Sequence, residues 1–191
     1  MRFKDYNKVE LIYQASLDLI HREGIAGLTM SGLADKAGMA TGTLYIYFAS
    51  KEELLHKLYL SLRARSQERF MKDYDEKEPF KIGLKKVWIN YLKHRIENHR
   101  ESVFLEQYYH SPYITPEERD MAEAMKSPVH DLIRRGKREM LIKRNVDDEM
   151  VFLAMLGFIR ELADESVSGV YILDNQRIEQ AFQLSWDMIK A

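Results

Sequence analysis

The sequence contains no cysteine, and only four prolines and nine glycines interrupt its 191 residues. The lack of cysteine excludes a disulfide framework, a thiolate metal site and a cysteine nucleophile, and it suits a cytoplasmic protein. With so few prolines and glycines, the chain can form long uninterrupted helices. Hydrophobic residues make up 46% of the chain, which is enough to bury a core.

The sequence also has no segment with the pattern of a signal peptide or a membrane span. Residues 1–6 are polar and lack the apolar region of a signal peptide. No run approaches the roughly 18 apolar residues that a transmembrane helix requires. We therefore expect a soluble, cytoplasmic protein with no membrane partner.

Acidic and basic residues are balanced along the chain, so net charge indicates no particular partner. There are 29 lysines and arginines against 30 acidic residues, and the first 60 residues hold seven of each sign. A nucleic-acid-binding domain usually carries a basic excess, so this balance argues mildly against one. Three cations among the first eight residues, and Lys51 at the start of a helix, argue in the other direction.

The first 50 residues carry the pattern of three helices. Hydrophobic residues recur every three or four positions over residues 7–23, which predicts an amphipathic helix that Gly24 ends. Thr29 is placed to cap a short helix, and Gly38 stands at the turn that follows it. Residues 41–48 then predict a second short helix. Two short helices joined by a glycine turn indicate a helix-turn-helix arrangement.

The rest of the chain also predicts helices. Ser50 and Glu53 form a capping box at the start of a long helix. Thr115, Pro116 and Glu118 have the N-cap, N1 and N3 residue types of another helix start. The predicted helices after the acidic segment 73–79 cover residues 80–98, 101–110, 115–143 with a kink or break at Pro128, 148–167 and 176–190.

Residues 38–55, GMATGTLYIYFASKEELL, contain the spacing Gly-x-x-x-Gly-x-x-Tyr-x-Tyr-Phe-x-x-Lys. This segment resembles the signature of the TetR family of bacterial regulators, and the resemblance covers roughly the first third of the chain. It departs from the family pattern only slightly: Met39 stands where a smaller aliphatic residue is usual, Ala40 where serine is common, and Gly32 weakens the second helix.

The resemblance implies an all-α fold in which a three-helix helix-turn-helix head is linked by a long helix to a helical bundle. We expect a DNA-binding domain over residues 1–50 and a ligand-binding and dimerisation domain over residues 51–191. It further implies a transcriptional regulator, commonly a repressor, that binds a palindromic operator in double-stranded DNA as a homodimer. A small-molecule inducer would release it.

The predicted DNA-binding residues lie in and around the second short helix. Its leading positions must be small to enter a major groove about 12 Å wide. The helix over residues 41–48 and its neighbours supply hydroxyls for base edges and phosphates. The helix N-termini at residues 29 and 51 favour phosphate. The predicted set is Thr29, Thr41, Gly42, Thr43, Tyr45, Tyr47 and Lys51. We expect Leu33, Ala34, Leu44 and Phe48 to pack inside. The alternative is that this segment is an ordinary tight corner of a helical bundle.

The body offers a candidate ligand pocket and a candidate dimer interface. An inducer of partly apolar character would suit the aromatic residues there, namely Trp88, Tyr91, Phe104, Tyr108, Tyr109 and Phe158. The alternative is that these residues only form the core. The last two helices carry more apolar surface than one stripe needs, and the resemblance implies that they pair with those of a second copy. They could instead complete the core of a single chain.

A helical enzyme is the rival from another functional class. None of the six histidines stands in a metal-ligand pair such as HExxH, and His94 and His99 are five apart and do not share a helix face. No nucleophile with an orienting partner accompanies Glu101, Glu106 and His110. We expect no catalytic residue, no metal and no cofactor. A helical ligand-binding or scaffold protein without operator activity remains the other alternative.

Overall fold

A computed structural model describes residues 6–66 and 70–191, so the polar segment 1–5 lies outside the described residues. All the regular elements it describes are helices, as predicted, and an isolated bridge pairs Ile142 with Lys190. The helices are α1 (Tyr6–Gly27), α2 (Met30–Lys36), α3 (Thr41–Tyr47), α4 (Lys51–Ser66), α5 (Phe80–Glu97), α6 (His99–Tyr109), α7 (Pro116–Ala124), α8 (Ser127–Arg138), α9 (Asp148–Val167) and α10 (Asn175–Ile189). In the part of the chain that is described, no helix has the length and apolar character needed to cross a membrane.

The chain divides into two compact units. The first comprises the chain up to Arg65 together with residues 100–119, and the second comprises residues 66–99 and 120–191. Leu54, Leu55 and Leu58 on α4 are fully buried in the same cluster as the side chains of α2 and α3. The boundary of the first compact unit therefore does not fall at residue 50. The predicted division of function at residue 50 stays a prediction.

The core of the first unit is formed by the inner faces of α1 to α4 and by two aromatic residues of α6. Leu33, Ala34 and Leu44 are completely inaccessible to solvent, and Phe48 is 2% exposed, as predicted for packing residues. Phe104 and Tyr108 belong to the same cluster. This core sets the orientation of the short helices, because seven-residue helices are too short to be stable without tertiary packing.

The predicted caps are confirmed. Thr29 Oγ1 accepts a hydrogen bond from the Gly32 amide at 3.1 Å, and Ser50 Oγ accepts one from the Glu53 amide at 3.2 Å. Gly38 has a φ of 65°, a conformation that side chains disfavour, and it turns the chain between α2 and α3. The prediction that the first helix ends at Gly24 was only partly right: the backbone breaks there, but helix α1 extends to Gly27.

The second unit packs α5, α8 and α10 around α9, with a separate hydrophobic cluster that includes Trp88, Ile133 and Ile159. The break predicted at Pro128 within residues 115–143 is confirmed, but the predicted end at residue 143 was wrong, because α8 ends at Arg138. The two helices are α7 and α8, and Pro128 lies in the first turn of α8, where its missing amide hydrogen costs nothing. The chain leaves α8 after Arg138 because it turns to bring Ile142 against the C-terminal end of α10.

Candidate nucleic-acid interface

Helix α3 has one buried and one exposed face. Leu44 is inaccessible and Tyr47 is 9% exposed, so both lie in the core of the first unit. Tyr45 and Ile46 are 50% and 58% exposed. A Cβ built on Gly42 would meet no atom within 4 Å. The exposed face of α3, formed by Gly42, Tyr45 and Ile46, is therefore narrow at its N-terminal end and apolar towards its C-terminal end.

Backbone hydrogen bonds close the turn between α2 and α3. The Met39 amide donates to the Ala34 carbonyl at 3.0 Å, and the Gly38 amide donates to the Asp35 carbonyl at 3.2 Å. These bonds close the end of α2 and fix the direction in which the chain enters α3. The exposed face of α3 is thus presented by a rigid turn, as a helix that enters a groove requires.

The structure separates the two tyrosines that sequence analysis treated alike. Tyr45 is exposed, whereas most of Tyr47 lies inside the core. The interface proposed below therefore does not depend on Tyr47. Sequence analysis missed Ile46, although the helical period could have indicated it, because residues three and four positions after Gly42 share its face.

The two residues predicted to contact phosphate at helix N-termini, Thr29 and Lys51, both form contacts within the protein. Thr29 is exposed, and its hydroxyl caps α2 as described above. Lys51 Nζ lies 3.4 Å from the Ala26 carbonyl oxygen and 5.5 Å from the centroid of the Tyr113 ring. These contacts hold the ammonium group at the first residue of α4, where the helix dipole also favours an anion.

Several charges on the surface of the first unit are paired. Asp18 forms ion pairs with Lys36, at 3.4 Å, and with Arg100, and Lys57 pairs with Glu53. This pairing is consistent with the balanced composition, and it leaves little excess positive charge to attract DNA at long range.

A buried carboxylate joins three helices of the first unit. Glu118 is 2% exposed, and its Oε1 lies 2.7 Å from His56 Nδ1 on α4. The Tyr108 hydroxyl of α6 donates to Glu118 Oε2 at 3.0 Å, and the Thr115 amide donates to the same oxygen at 2.9 Å. The Tyr59 hydroxyl of α4 donates to the Glu118 carbonyl at 3.2 Å. We call these five residues the Glu118 cluster.

Burial and the hydrogen bond to Glu118 raise the pKa of Tyr108, since both disfavour a phenolate at this position. The ring of Tyr108 also stacks on that of Tyr59, with centroids 4.7 Å apart. Sequence analysis identified Glu118 only as a capping residue. Its partner on α6 is about 10 positions away in the chain, and its partners on α4 are about 60 positions away. Local sequence patterns cannot reveal the contacts with α4.

The six predicted ligand-binding residues fall into two sets. Phe104 and Tyr108 are buried in the core of the first unit, and the Tyr109 ring of that unit lies under the Arg119 guanidinium at 4.9 Å. Trp88, Tyr91 and Phe158 pack in the second unit. Trp88 is 1% exposed, and its indole N–H donates to Ser185 Oγ at 3.0 Å. A ligand-binding role for these residues stays a prediction.

Helices α9 and α10 expose apolar side chains of the second unit. Met150, Leu153 and Gly157 are spaced as one face of α9, and a Cβ on Gly157 would meet no atom within 4 Å. Leu184 and Met188 are 62% and 42% exposed, one turn apart on α10. We call these five residues the α9–α10 face.

Among residues 6–66 and 70–191, no group of three histidine or acidic side chains could hold a metal ion.

Two family models match the chain. Residues 12–58 match the model described as bacterial regulatory proteins, tetR family, and residues 79–190 match the model described as tetracyclin repressor-like, C-terminal domain. The first match contains α2, α3 and the start of α4, and the second contains α5 to α10.

Similar proteins are found at full length. An uncharacterized HTH-type transcriptional regulator of Haemophilus influenzae is 27% identical over 190 residues, which cover all of both chains. The crystal structure of a TetR-family transcriptional regulator from the same species has a TM-score of 0.75 and 27% identity, with both chains fully covered. A TetR family transcription regulator from Marinobacter aquaeolei has a TM-score of 0.83 over 100% of this chain and 99% of its own. At 23% identity, that likeness shows the fold alone.

Proposed function

The chain belongs to the TetR family of bacterial regulatory proteins and is a transcriptional regulator with a helix-turn-helix DNA-binding domain; we propose that it is a repressor. It binds a palindromic operator as a homodimer, and a small-molecule inducer releases it. The single observation that carries this proposal is the exposed face of α3, which has a bare backbone at Gly42 within a rigidly held helix-turn-helix.

In the proposed complex, α3 lies in the major groove. Thr41, Gly42 and Thr43 bring its first turn close to the base edges, and the Thr43 hydroxyl and methyl read them. Tyr45 is exposed and directs its hydroxyl to a phosphate. Thr29 and Lys51 contribute phosphate contacts at the first turns of α2 and α4, which position the head without specifying sequence.

The proposed dimer uses the α9–α10 face. Leu153 and Leu184 are more than half exposed, and burying such side chains against a second copy would be favourable. The open space at Gly157 permits close approach of a partner helix. A twofold dimer presents two copies of α3, and a palindromic operator matches that symmetry.

The proposed release mechanism acts through the Glu118 cluster. Helix α4 begins four residues after α3 ends, and the cluster ties α4 to α6 and to the start of α7. An inducer that favours a different arrangement of α6 and α7 would therefore shift α4 and with it α3, which is a population shift. We propose that a partly apolar inducer contacts the aromatic residues Phe104, Tyr108 and Tyr109 of the first unit. A ligand-binding role for Trp88, Tyr91 and Phe158 of the second unit is a separate proposal.

The experiment that tests the DNA-binding proposal compares two variants on selected operator DNA. We expect Tyr45→Ala to weaken binding to all sequences alike, because a phosphate contact is lost. We expect Thr43→Val to change base preference, because the hydroxyl that reads a base edge is lost. Wild-type affinity and preference in both variants would contradict the assignment of α3. Ile82→Ala, at a 52% exposed apolar position on α5, is the control.

A further inference from the structure

Ile46 is the most exposed residue among the large hydrophobic side chains of the first unit in the described part of the chain, at 58%. It lies one turn after Gly42 and beside Tyr45 on the exposed face of α3, opposite Leu44 and Tyr47. Exposed single hydrophobic residues are common on protein surfaces. This one, however, forms the C-terminal end of the face that the proposed function puts into the major groove.

The chemistry of an isoleucine limits what it can read. Its side chain has no donor or acceptor, so it cannot pair with the polar edges of guanine, adenine or cytosine. A polar base atom covered by isoleucine would lose its water without gaining a partner, which is unfavourable. The major groove displays one apolar group, the C5 methyl of thymine.

Resting on the proposed DNA-binding function, we propose that Ile46 is a specificity-determining residue that packs on the C5 methyl of one thymine in each operator half-site. Gly42 makes this contact possible, because the absent side chain one turn earlier lets the backbone of α3 approach the bases. Tyr45, next to Ile46, directs its hydroxyl to the phosphate and so fixes the rotation of the helix.

The test replaces each thymine of a selected operator, one position at a time, by deoxyuridine, which differs only in lacking the methyl group. We expect one position per half-site at which the replacement weakens wild-type binding about fourfold, as the loss of one buried methyl implies. Replacement in both half-sites should weaken binding about 15-fold. In Ile46→Ala, the same replacement should have little effect, while responses at other thymines persist.

Two further variants sharpen the test. Ile46→Val keeps a branched side chain and should retain the thymine preference, and Ile82→Ala should behave as wild type. Ile46 is exposed, so its replacement does not remove a core residue. If Ile46→Ala binds the operator and still responds fully to deoxyuridine at every position, the proposal is wrong while the proposed function stands. If the wild-type protein selects no DNA sequence, the proposed function fails and this proposal fails with it.

Discussion

Replacing Gly42 with alanine should change stability and DNA binding in opposite directions. The added Cβ meets no atom within 4 Å, so the fold accepts it without a clash. Alanine is a better helix former than glycine, and the change should stabilise the protein by at most about 0.5–1 kcal/mol, the value for a helix interior, because Gly42 is the second residue of α3. For a chain of this size, that corresponds to an increase of roughly 1–4 °C in Tm.

The same methyl group lies on the exposed face of α3, between the helix backbone and the proposed position of the base edges. Forcing one extra methyl into a packed contact costs about 1–3 kcal/mol. Taking about 1 kcal/mol for each of two half-sites, the operator Kd should rise about 30-fold.

Thermal unfolding followed by circular dichroism measures the first effect, and fluorescence anisotropy with labelled operator measures the second. The increase in Tm serves as the internal control, because a variant that is more stable and binds more weakly has not misfolded. A Gly42→Ala protein with a higher Tm and wild-type operator affinity would refute the reasoning, since the exposed face of α3 would then not lie against DNA.

Four other changes test separate parts of the account. Lys51→Ala should make the dependence of log K on log salt shallower by about 0.9 per protomer. An unchanged slope between about 50 and about 200 mM salt would exclude a phosphate contact. Glu118→Gln should lower stability by about 1.5–3 kcal/mol, because a buried carboxylate loses charged hydrogen bonds, whereas Glu117→Gln at the exposed neighbouring position should change Tm little. Leu184→Glu should convert the dimer to a folded monomer in sedimentation velocity, and an intact dimer would place the interface elsewhere. The pKa of Tyr108 is raised in the folded state. Its contribution to stability is therefore present below its unfolded pKa of about 10 and is lost as pH rises beyond that value. The free energy of unfolding of Tyr108→Phe should consequently fall less steeply with pH above about 10 than that of the wild type.

Local signals in the sequence predicted the helix starts well. Thr29, Ser50 and Thr115 each cap the helix expected of them, because a capping side chain bonds to amides only three residues away. The turn at Gly38 was equally predictable, since it depends on one backbone conformation.

Features that depend on tertiary packing were not predictable in the same way. Helical spacing puts Tyr47 on the face of Leu44, but packing against the core of α1 to α4 determines how far Tyr47 is buried while Tyr45 stays exposed. The helix predicted to reach Lys143 ends early because Ile142 packs in the core of the second unit and pairs with Lys190. These outcomes depend on residues far apart in the chain.

The Glu118 cluster illustrates the same limit within the candidate site. Its local part, the capping box with Thr115, was predicted and is present. Its contacts with His56 and Tyr59 on α4 bring together residues about 60 positions apart. These contacts are the ones that matter for the proposed release mechanism, so sequence alone could suggest an inducer-responsive regulator but not the residues that would couple the response to α4.

The most direct test of the central claim is selection of random duplex DNA by the purified protein at about 0.15 M salt, near physiological ionic strength. We expect an enriched palindrome whose half-sites are separated by one helical turn, ~34–36 Å, or a multiple of it. No enrichment from a folded dimer, at this salt concentration or a lower one, would contradict it and would favour a helical ligand-binding or scaffold protein without operator activity.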